Sequence, residues 1–532
     1  MSQLDEKPPM LAPMRHRSFR LLWSVALIAN VCTWMSDVSA AWMMTTLTTD
    51  ALWVGLVQTA SMLPVFLLGL PSGALADSFD RKHYLLFTQA WVTGIAALLS
   101  AAVFLGWMSP LLLLLLTFAS GIGLAMRMPV LAAVVPELVP RLQLPAAMAL
   151  NSVSMNASRI IGPIMAGMLI ASAGTAWVFL LNAILSVLTV LLISRWKREA
   201  KSSPLGREPL GTAMRVGWQY VAQSHHLKGV LLRLGIFFFC TSALTAMLPL
   251  LARKMGGENA ATFTVLLASM GGGAVASVSF LPGLRARYGR DALVLRGTVL
   301  QALIMLLMAW ADQLWLAAPA MFLCGAAWLT VGNTLSVAAQ QGLPDWVRAR
   351  GMSLSQMAVM GGSALGAAFW GQISNWSTVS VSLAIAAGMA VLAMAWINQL
   401  WPETGKALDL TPQQVPLPTK AAELQGQGRV MVTIEYRIDP ACAQEFRALM
   451  LESSRPGKLR HGALAWQLLH DMNDPGRFVE VITDASWSDY LRRFERLTVA
   501  DIELRQRKQA FHLGHDEPRV CRHFIESSLK GD

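Results

Sequence analysis

Long apolar stretches recur along the first 400 residues, separated by short polar turns, and then stop. Each runs about 20 to 28 residues, the length that crosses a bilayer as a helix. The pattern predicts twelve spans, at approximately 18–46, 52–76, 84–106, 110–135, 146–172, 176–196, 229–251, 261–283, 292–310, 315–340, 351–374 and 379–400. The first follows Met1–Arg20, which carries Asp5 and Glu6 and no small-residue cleavage site, so it reads as a lasting span and not as a removed leader. Past residue 401 the rhythm changes. "WPETGKALDLTPQQVPLPTKAAELQGQG" is rich in Pro and Gln and reads as a linker. "VMVTIEYRI" then alternates like a strand, and Pro440–Ser453 reads as a helix. "ALAWQLLHD" and "RFVEVITDA" flank Asp474-Pro475-Gly476, a hairpin signal. Residues 487–512 read as one or two helices and "PRVCRHFIE" as a closing strand. The order β-α-β-β-α-β is ferredoxin-like. The expected fold is an all-α membrane protein of twelve transmembrane helices in two six-helix halves, with a C-terminal α+β ferredoxin-like domain. Its expected parts are 1–196 and 229–400 for the halves, 197–228 for a central cytoplasmic loop, 401–427 for the linker and 428–532 for the α+β domain.

Composition supports the membrane reading. Hydrophobic residues make up 54% of the 532 and charged ones 14%, too little charge for a soluble surface of this size. The net charge of +11 is mostly a matter of sidedness. Basic residues crowd one set of loops, among them Arg15, Arg20, Arg81, Lys82, Arg285 and Arg348, while the other set holds only Arg253 and Lys254. That asymmetry predicts an inner-membrane protein with both termini cytoplasmic. It makes the lipid bilayer the partner and argues against nucleic acid. Cys32, Cys240 and Cys324 fall in spans, Cys442 and Cys521 in the tail, with no metal-ligand spacing and no disulfide framework. No phosphate-binding loop or cofactor motif is present, so neither a cofactor, a metal nor ATP-driven pumping is expected.

The chain repeats itself. Residues 140–167 read "PRLQLPAAMALNSVSMNASRIIGPIMAG", and 344–371 read "PDWVRARGMSLSQMAVMGGSALGAAFWG". A shift of 204 brings Pro140 onto Pro344, Met148 onto Met352, Gly162 onto Gly366 and Gly167 onto Gly371. Span five thus corresponds to span eleven, and the halves are parallel repeats. Such repeats place a substrate site between the halves, near the midplane.

Three ionisable residues sit at membrane depth: Asp37 in span one, Arg127 in span four and Arg159 in span five. Each costs several kcal/mol unless it faces water or a partner, so each is expected to point inward. Asp37 is the lone acid at depth. It has two readings, a proton-coupling carboxylate or one member of a structural ion cluster with Arg127 and Arg159. Trp34 beside it and the polar residues Asn30, Gln58, Asn156, Asn333 and Gln356 are candidates to line a substrate cavity with the two arginines. The 29 methionines and 19 tryptophans suit an adaptable apolar pocket and equally suit lipid-facing packing.

After span two comes "GALADSFDRKHYLL", with Gly73, Asp77, Arg81 and Lys82 forming a charged turn. Twelve spans in two halves with this turn resemble the major facilitator superfamily, whose signature here is Gly-x-Leu-x-Asp-Arg/Lys-x-Gly-Arg/Lys-Arg/Lys. The chain has Ser78 for the first basic residue and Asp80 for the second glycine. The resemblance implies a cytoplasmic latch at Gly73, Asp77, Arg81 and Lys82. "VVPELVPRLQLPAAMALNSVSMNASRIIGPIMAG" and "GLPDWVRARGMSLSQM" are similar to the enterobactin-exporter-like branch, over roughly residues 10–400. Antiporters of this superfamily carry Gly-x-x-x-Gly-Pro-x-x-Gly-Gly in span five. Gly162, Pro163 and Gly167 match it, Ala166 nearly does, and Ser158 replaces the first glycine. The resemblance implies a tight seal between spans five and eight. The second half has Ala367 in place of the proline.

The tail resembles the dimeric α+β barrel group that includes antibiotic-biosynthesis monooxygenases, by pattern and without a catalytic signature. Its sheet is expected to keep one apolar face for a second copy, giving a homodimer through this domain. The functional expectation is a secondary exporter of small organic molecules, siderophore- or drug-like, working by proton antiport and alternating access, and not an enzyme. The alternative is a transporter fused to a cytoplasmic domain that senses or modifies its cargo.

Overall fold

Apolar length and a few polar caps set the helices. The computed structural model describes residues 9, 11–196, 210–257, 260–344, 346–402, 409–413, 428–514 and 516–525, and several side chains within its helices, those of Gly73, Asp77 and Asn156 among them, lie outside the described set. The first half forms α1 (Arg17–Leu47), α2 (Ala51–Ser78), α3 (Arg81–Phe104), α4 (Pro110–Leu138), α5 (Leu144–Ala173) and α6 (Thr175–Ser194). Asp50 accepts from the Leu52 amide and starts α2. Asp80, where the superfamily's turn has glycine, accepts from the Lys82 and His83 amides and caps α3. Gly174 ends α5 and opens α6 at φ 93°, a conformation open to glycine and strained for other residues.

A short helix, α7 (Leu210–Ala222), precedes the second half: α8 (His225–Gly256), α9 (Ala260–Arg287), α10 (Arg290–Trp310), α11 (Leu314–Gln341), α12 (Arg348–Trp376) and α13 (Val379–Leu400). The shift of 204 carries Leu144, the first residue of α5, onto Arg348, the first residue of α12. Among the described residues, eleven helices are long and apolar enough to cross a membrane. The sequence predicts twelve such spans, and the missing one is α12. It has the length, 29 residues, but its composition is diluted by Gly, Ser and Gln. Those small residues lie where other helices come close, as at Gly362, where an added Cβ would run into the Gly235 backbone.

The chain divides into two units. One is the helical bundle of residues 1–207, 231–336 and 354–402. The other gathers 403–532 with 208–230 and 337–353. Its tail contains β1 (Val430–Arg437), α14 (Ala443–Leu449), α15 (Arg455–Arg460), β2 (Ala465–His470), β3 (Arg477–Asp484), α16 (Trp487–Glu495), α17 (Val499–Gln509) and β4 (Arg519–Phe524). The strands form one antiparallel sheet in the order β2-β3-β1-β4. Val432 pairs with Ile482, Ile434 with Glu480 and Tyr436 with Phe478. The helix-covered face of β3 therefore carries Phe478, Glu480, Ile482 and Asp484, all buried, while Val479 and Val481 lie on the other face.

Candidate functional site

A guanidinium in a membrane bundle needs compensation from what surrounds it. Arg159, on α5, finds two tryptophans. Its guanidinium carbon lies 4.5 Å from the ring centre of Trp328 on α11 and 5.5 Å from that of Trp34 on α1. Cation–π contacts reach about 2 kcal/mol when desolvated. The Arg159 Nε is buried without a hydrogen-bond partner. Residues from both halves thus hold one cation, and no carboxylate answers it among the described residues.

Asp37 and Arg127 lie elsewhere in the first half. They line a small polar cavity, about 40 Å³, with Thr33, Ser36, Ser61, Gln89 and Asn182. A water needs about 10–15 Å³ on this measure, so the cavity holds a few waters and no organic cargo. Ser61 donates to Asp37 at 2.8 Å. Arg127, 3% exposed, donates to Thr33 Oγ1 at 3.2 Å and to Gln89 Oε1 at 3.4 Å. Asp37, Arg127 and Arg159 form no ion pair with one another. The lining comes from α1, α2, α3, α4 and α6, so this site belongs to one half alone.

Small residues set the seams between halves. At Gly167 an added Cβ would collide with the Thr264 side chain on α9, placing α5 hard against α9. Gly162 faces α1 instead, 2.5 Å from the Trp34 Cβ by the same construction. The related seam joins α2 to α12. A Cβ on Gly55 would come 2.5 Å from the Ala367 carbonyl, and one on Gly371 would come 3.2 Å from the Ala51 carbonyl. Gln58 bridges the halves too, accepting from Thr245 at 3.2 Å. Pro163 lies inside α5, while α12 has Ala367 at the matching place.

A family model described as transmembrane secretion effector matches residues 9–529. The chain belongs to this family of major facilitator transporters. The staphyloferrin A transporter of Staphylococcus aureus is 25% identical over 174 residues, 32% of this chain and 44% of the relative. The enterobactin exporter of Salmonella typhi is 27% identical over 238 residues, 44% and 57%. The chain thus spans about half the length of these two relatives. The enterobactin exporter of Escherichia coli O1:K1 is 26% identical over 404 residues, 75% and 95%. Among solved structures, the nucleoside transporter NupG aligns with a TM-score of 0.58 at 13% identity, over 73% of this chain and all of that one. A D-xylose-proton symporter aligns at 0.56 and 15%, over 73% and 99%. These two likenesses establish the fold. The family match also runs through the tail, whereas the resemblance in the sequence stops near residue 400.

Other residues singled out from the sequence lie apart within this transporter. Lys82 of the turn after α2 donates to the Ser194 carbonyl at the end of α6, 3.0 Å away within the same half, where a helix C-terminus favours a cation. The side chains of Gly73, Asp77 and Asn156 lie outside the described residues. Asn333 is exposed and accepts from Arg285, in the last turn of α9, at 2.7 Å. Asn30 and Gln356 are half-buried.

Sequence reasoning missed Arg233 on α8, 1% exposed, because it sits close to a predicted span boundary. It pairs with Asp291 at 3.4 Å and donates to Asn398 at 2.9 Å and to the Trp401 carbonyl at 2.8 Å. It also missed the buried carboxylates of the tail. Glu480 accepts from Ser454 and Trp466 at 2.8 Å, from Tyr436 at 3.2 Å and from Lys508 at 3.3 Å. Burial by itself raises its pKa. The Lys508 and Lys458 ammonium groups and the hydrogen bonds from Trp466 and Ser454 outweigh that and hold it at about 2. Strand alternation reveals which residues share a face, but it does not tell that charges on one face are covered by helices.

Proposed function

We propose that this transporter exports a small organic anion of the siderophore kind across the inner membrane. The carrying observation is Arg159, held between Trp34 and Trp328 from the two halves with no carboxylate partner. A cation left open at the junction of two repeats suits a cargo that brings negative charge and flat apolar groups. The names of the relatives, a staphyloferrin A transporter and enterobactin exporters, support that class. In this reading the six-helix halves, 1–196 and 229–400, rock about the site, and both termini are cytoplasmic. Contacts at Gly167 and Gly55 close the end away from the termini, and the turn at Gly73, Asp77, Arg81 and Lys82 steadies the opposite end.

The reading couples export to proton entry at Asp37. Its cavity admits water but not cargo, which separates the proton site from the cargo site. Arg127 lies in the same cavity without pairing to Asp37, so protonation there breaks no buried ion pair. We read the tail as a ferredoxin-like unit, supported by its β-α-β-β-α-β order. The open face of its sheet, with Met431, Val479 and Val481, is the surface for the expected homodimer.

The test is accumulation of iron-free catecholate and carboxylate siderophores by inverted vesicles with an acid interior. The expected result is uptake that exceeds control vesicles and collapses with the pH gradient. Asp37→Asn keeps cargo binding and counterflow but loses gradient-driven uptake. No uptake of any anion overturns the cargo assignment, and full gradient-driven uptake by Asp37→Asn overturns the coupling.

A further inference from the structure

The tail encloses a second cavity that transport does not use. It measures about 190 Å³ and lies between the sheet and the helices that cover it. Its apolar wall includes Val432, Ile434, Ile482, Tyr490 and Phe494. Its polar wall is mainly cationic, and most of the charges are already matched. Lys508 answers Glu480 at 3.3 Å, Arg493 answers Asp484 at 3.0 Å, Arg505 faces Glu517 at 3.9 Å, and His461 faces Asp501 at 3.4 Å. Two cations have no acid within ion-pair distance among the described residues. There the Arg522 side chain donates to the Tyr490 hydroxyl, at 2.8 Å, and the Lys458 ammonium makes no hydrogen bond or ion pair, acting on Glu480 only at longer range. Arg493, 7% exposed, also lines the cavity with Nε and Nη1 lacking hydrogen-bond partners. Buried donors without acceptors are costly, and a ligand that supplies acceptors removes the cost.

We propose that this cavity is a binding site for a small aromatic carboxylate. The carboxylate accepts from Lys458 and from the free edge of Arg493, and the ring lies against Tyr490 and the β1 side chains. Burial and the neighbouring Lys508 pull Lys458 down to about 8, with Glu480 and Asp501 acting the other way and Arg493 adding to the fall. An anion beside it reverses that shift, so binding above neutral pH takes up a proton. The site is built into the wall that meets Trp346. His461 lines the cavity, and its ring meets Trp346 edge-on at 6.1 Å. Arg496, which donates to the His461 carbonyl at 2.8 Å, covers the face of the same Trp346 at 4.7 Å. The site is separate from the one at Arg159 and stands whether or not that cargo assignment holds.

The probe is salicylate, with neutral salicylamide as the matched control, titrated calorimetrically into the full chain in lipid nanodiscs. An Arg159→Gln chain is included so that any binding in the bundle is removed. Lys458→Met deletes a cation that makes no direct ion pair among the described residues, and Glu480, which it helps to hold down, keeps Lys508, Ser454 and Trp466. Gly457→Leu fills the cavity, since a Cβ there meets nothing closer than Leu504 at 3.8 Å. Salicylate is expected to bind the parent and Arg159→Gln alike, to bind Lys458→Met about tenfold more weakly, and to lose the site in Gly457→Leu. Salicylamide is expected to bind about tenfold more weakly than salicylate. If Gly457→Leu does not fold, Lys458→Met and the amide carry the test. The proposal is overturned if the parent shows no binding at about 1 mM. Equal binding by Lys458→Met, or equal binding of the amide, also overturns it.

Discussion

The two halves treat a buried arginine in opposite ways. In the second half Arg233 is answered by Asp291, by Asn398 and by the Trp401 carbonyl, which ties α8, α10 and the end of α13 together. In the first half, among the described residues, Arg127 has a threonine and a glutamine, and Arg159 has ring faces. The two motif glycines differ in degree. At Gly167 of α5, which lies four residues past Pro163, an added Cβ collides with the Thr264 side chain, while at its counterpart Gly371, four past Ala367, it would make a tight contact at 3.2 Å from the Ala51 carbonyl. A cation that the protein neutralises itself holds a frame. A cation left with neutral partners is available to something that arrives and leaves. On the proposed reading the second half is the frame and the first half does the exchanging, with Trp328 as the second half's contribution to the site.

Removing one partner of the buried pair is the largest expected disturbance. Arg233→Met takes the buried guanidinium from Asp291, which keeps Arg290 at 3.4 Å, and removes the donors to Asn398 and the Trp401 carbonyl; it is expected to cost about 3–4 kcal/mol, read as a lowered thermal unfolding midpoint in detergent. An unchanged midpoint would break the contrast between frame and exchanging half. The seams come next. Gly167→Ala meets Thr264 and is expected to cost about 1–3 kcal/mol and to bias the facing state. Gly371→Ala, with a few tenths of an ångström to recover, is expected to be milder. Labelling of cavity cysteines from each side of the membrane compares the two, and equal patterns would remove the asymmetry between seams.

The smallest effect lies in the tail and serves as a control for any pH profile. Burial holds His461 down at about 4, below its ordinary value near 6.5. A histidine kept neutral in the folded state contributes stability that is present above about 6.5 and is lost as pH falls towards about 4. Glu480, held at about 2, adds a further loss as pH drops below about 4.5. Protection of the amides in residues 428–525, taken relative to intrinsic exchange at each pH, is therefore expected to be weaker at pH 5 than at pH 7.5. Stronger protection at pH 5 contradicts the sign. Transport measured above pH 6.5 keeps this loss apart from protonation of Asp37.

Much of the bundle was legible because bilayer crossing needs length and apolarity, and both are written locally. The repeat placed α5 and α12 in register, and the span-five motif led to the Gly167 contact with α9. The apolar criterion failed at α12, where close packing of backbones replaces bulk with Gly and Ser. The ion pair of Arg233 was invisible because Asp291 and Asn398 lie far away in sequence. Asp37 and Arg159 were found as lone charges at depth, but their neighbours, Ser61 and the two tryptophans, come from other helices. In the tail the strands and their order followed from alternation and a Pro-Gly turn. The burial of Glu480 and Asp484 was not legible, since Lys508, Ser454 and Arg493, which make it tolerable, come from distant segments.

The central claim is that Arg159 receives an anionic cargo, and binding at equilibrium tests it most directly. An iron-free siderophore anion is titrated into the parent and into Arg159→Gln in the same lipid nanodiscs, with thermal unfolding recorded for both. The parent is expected to bind, and the variant to bind at least about tenfold more weakly at an unchanged unfolding midpoint. Equal affinity in the two proteins contradicts the account.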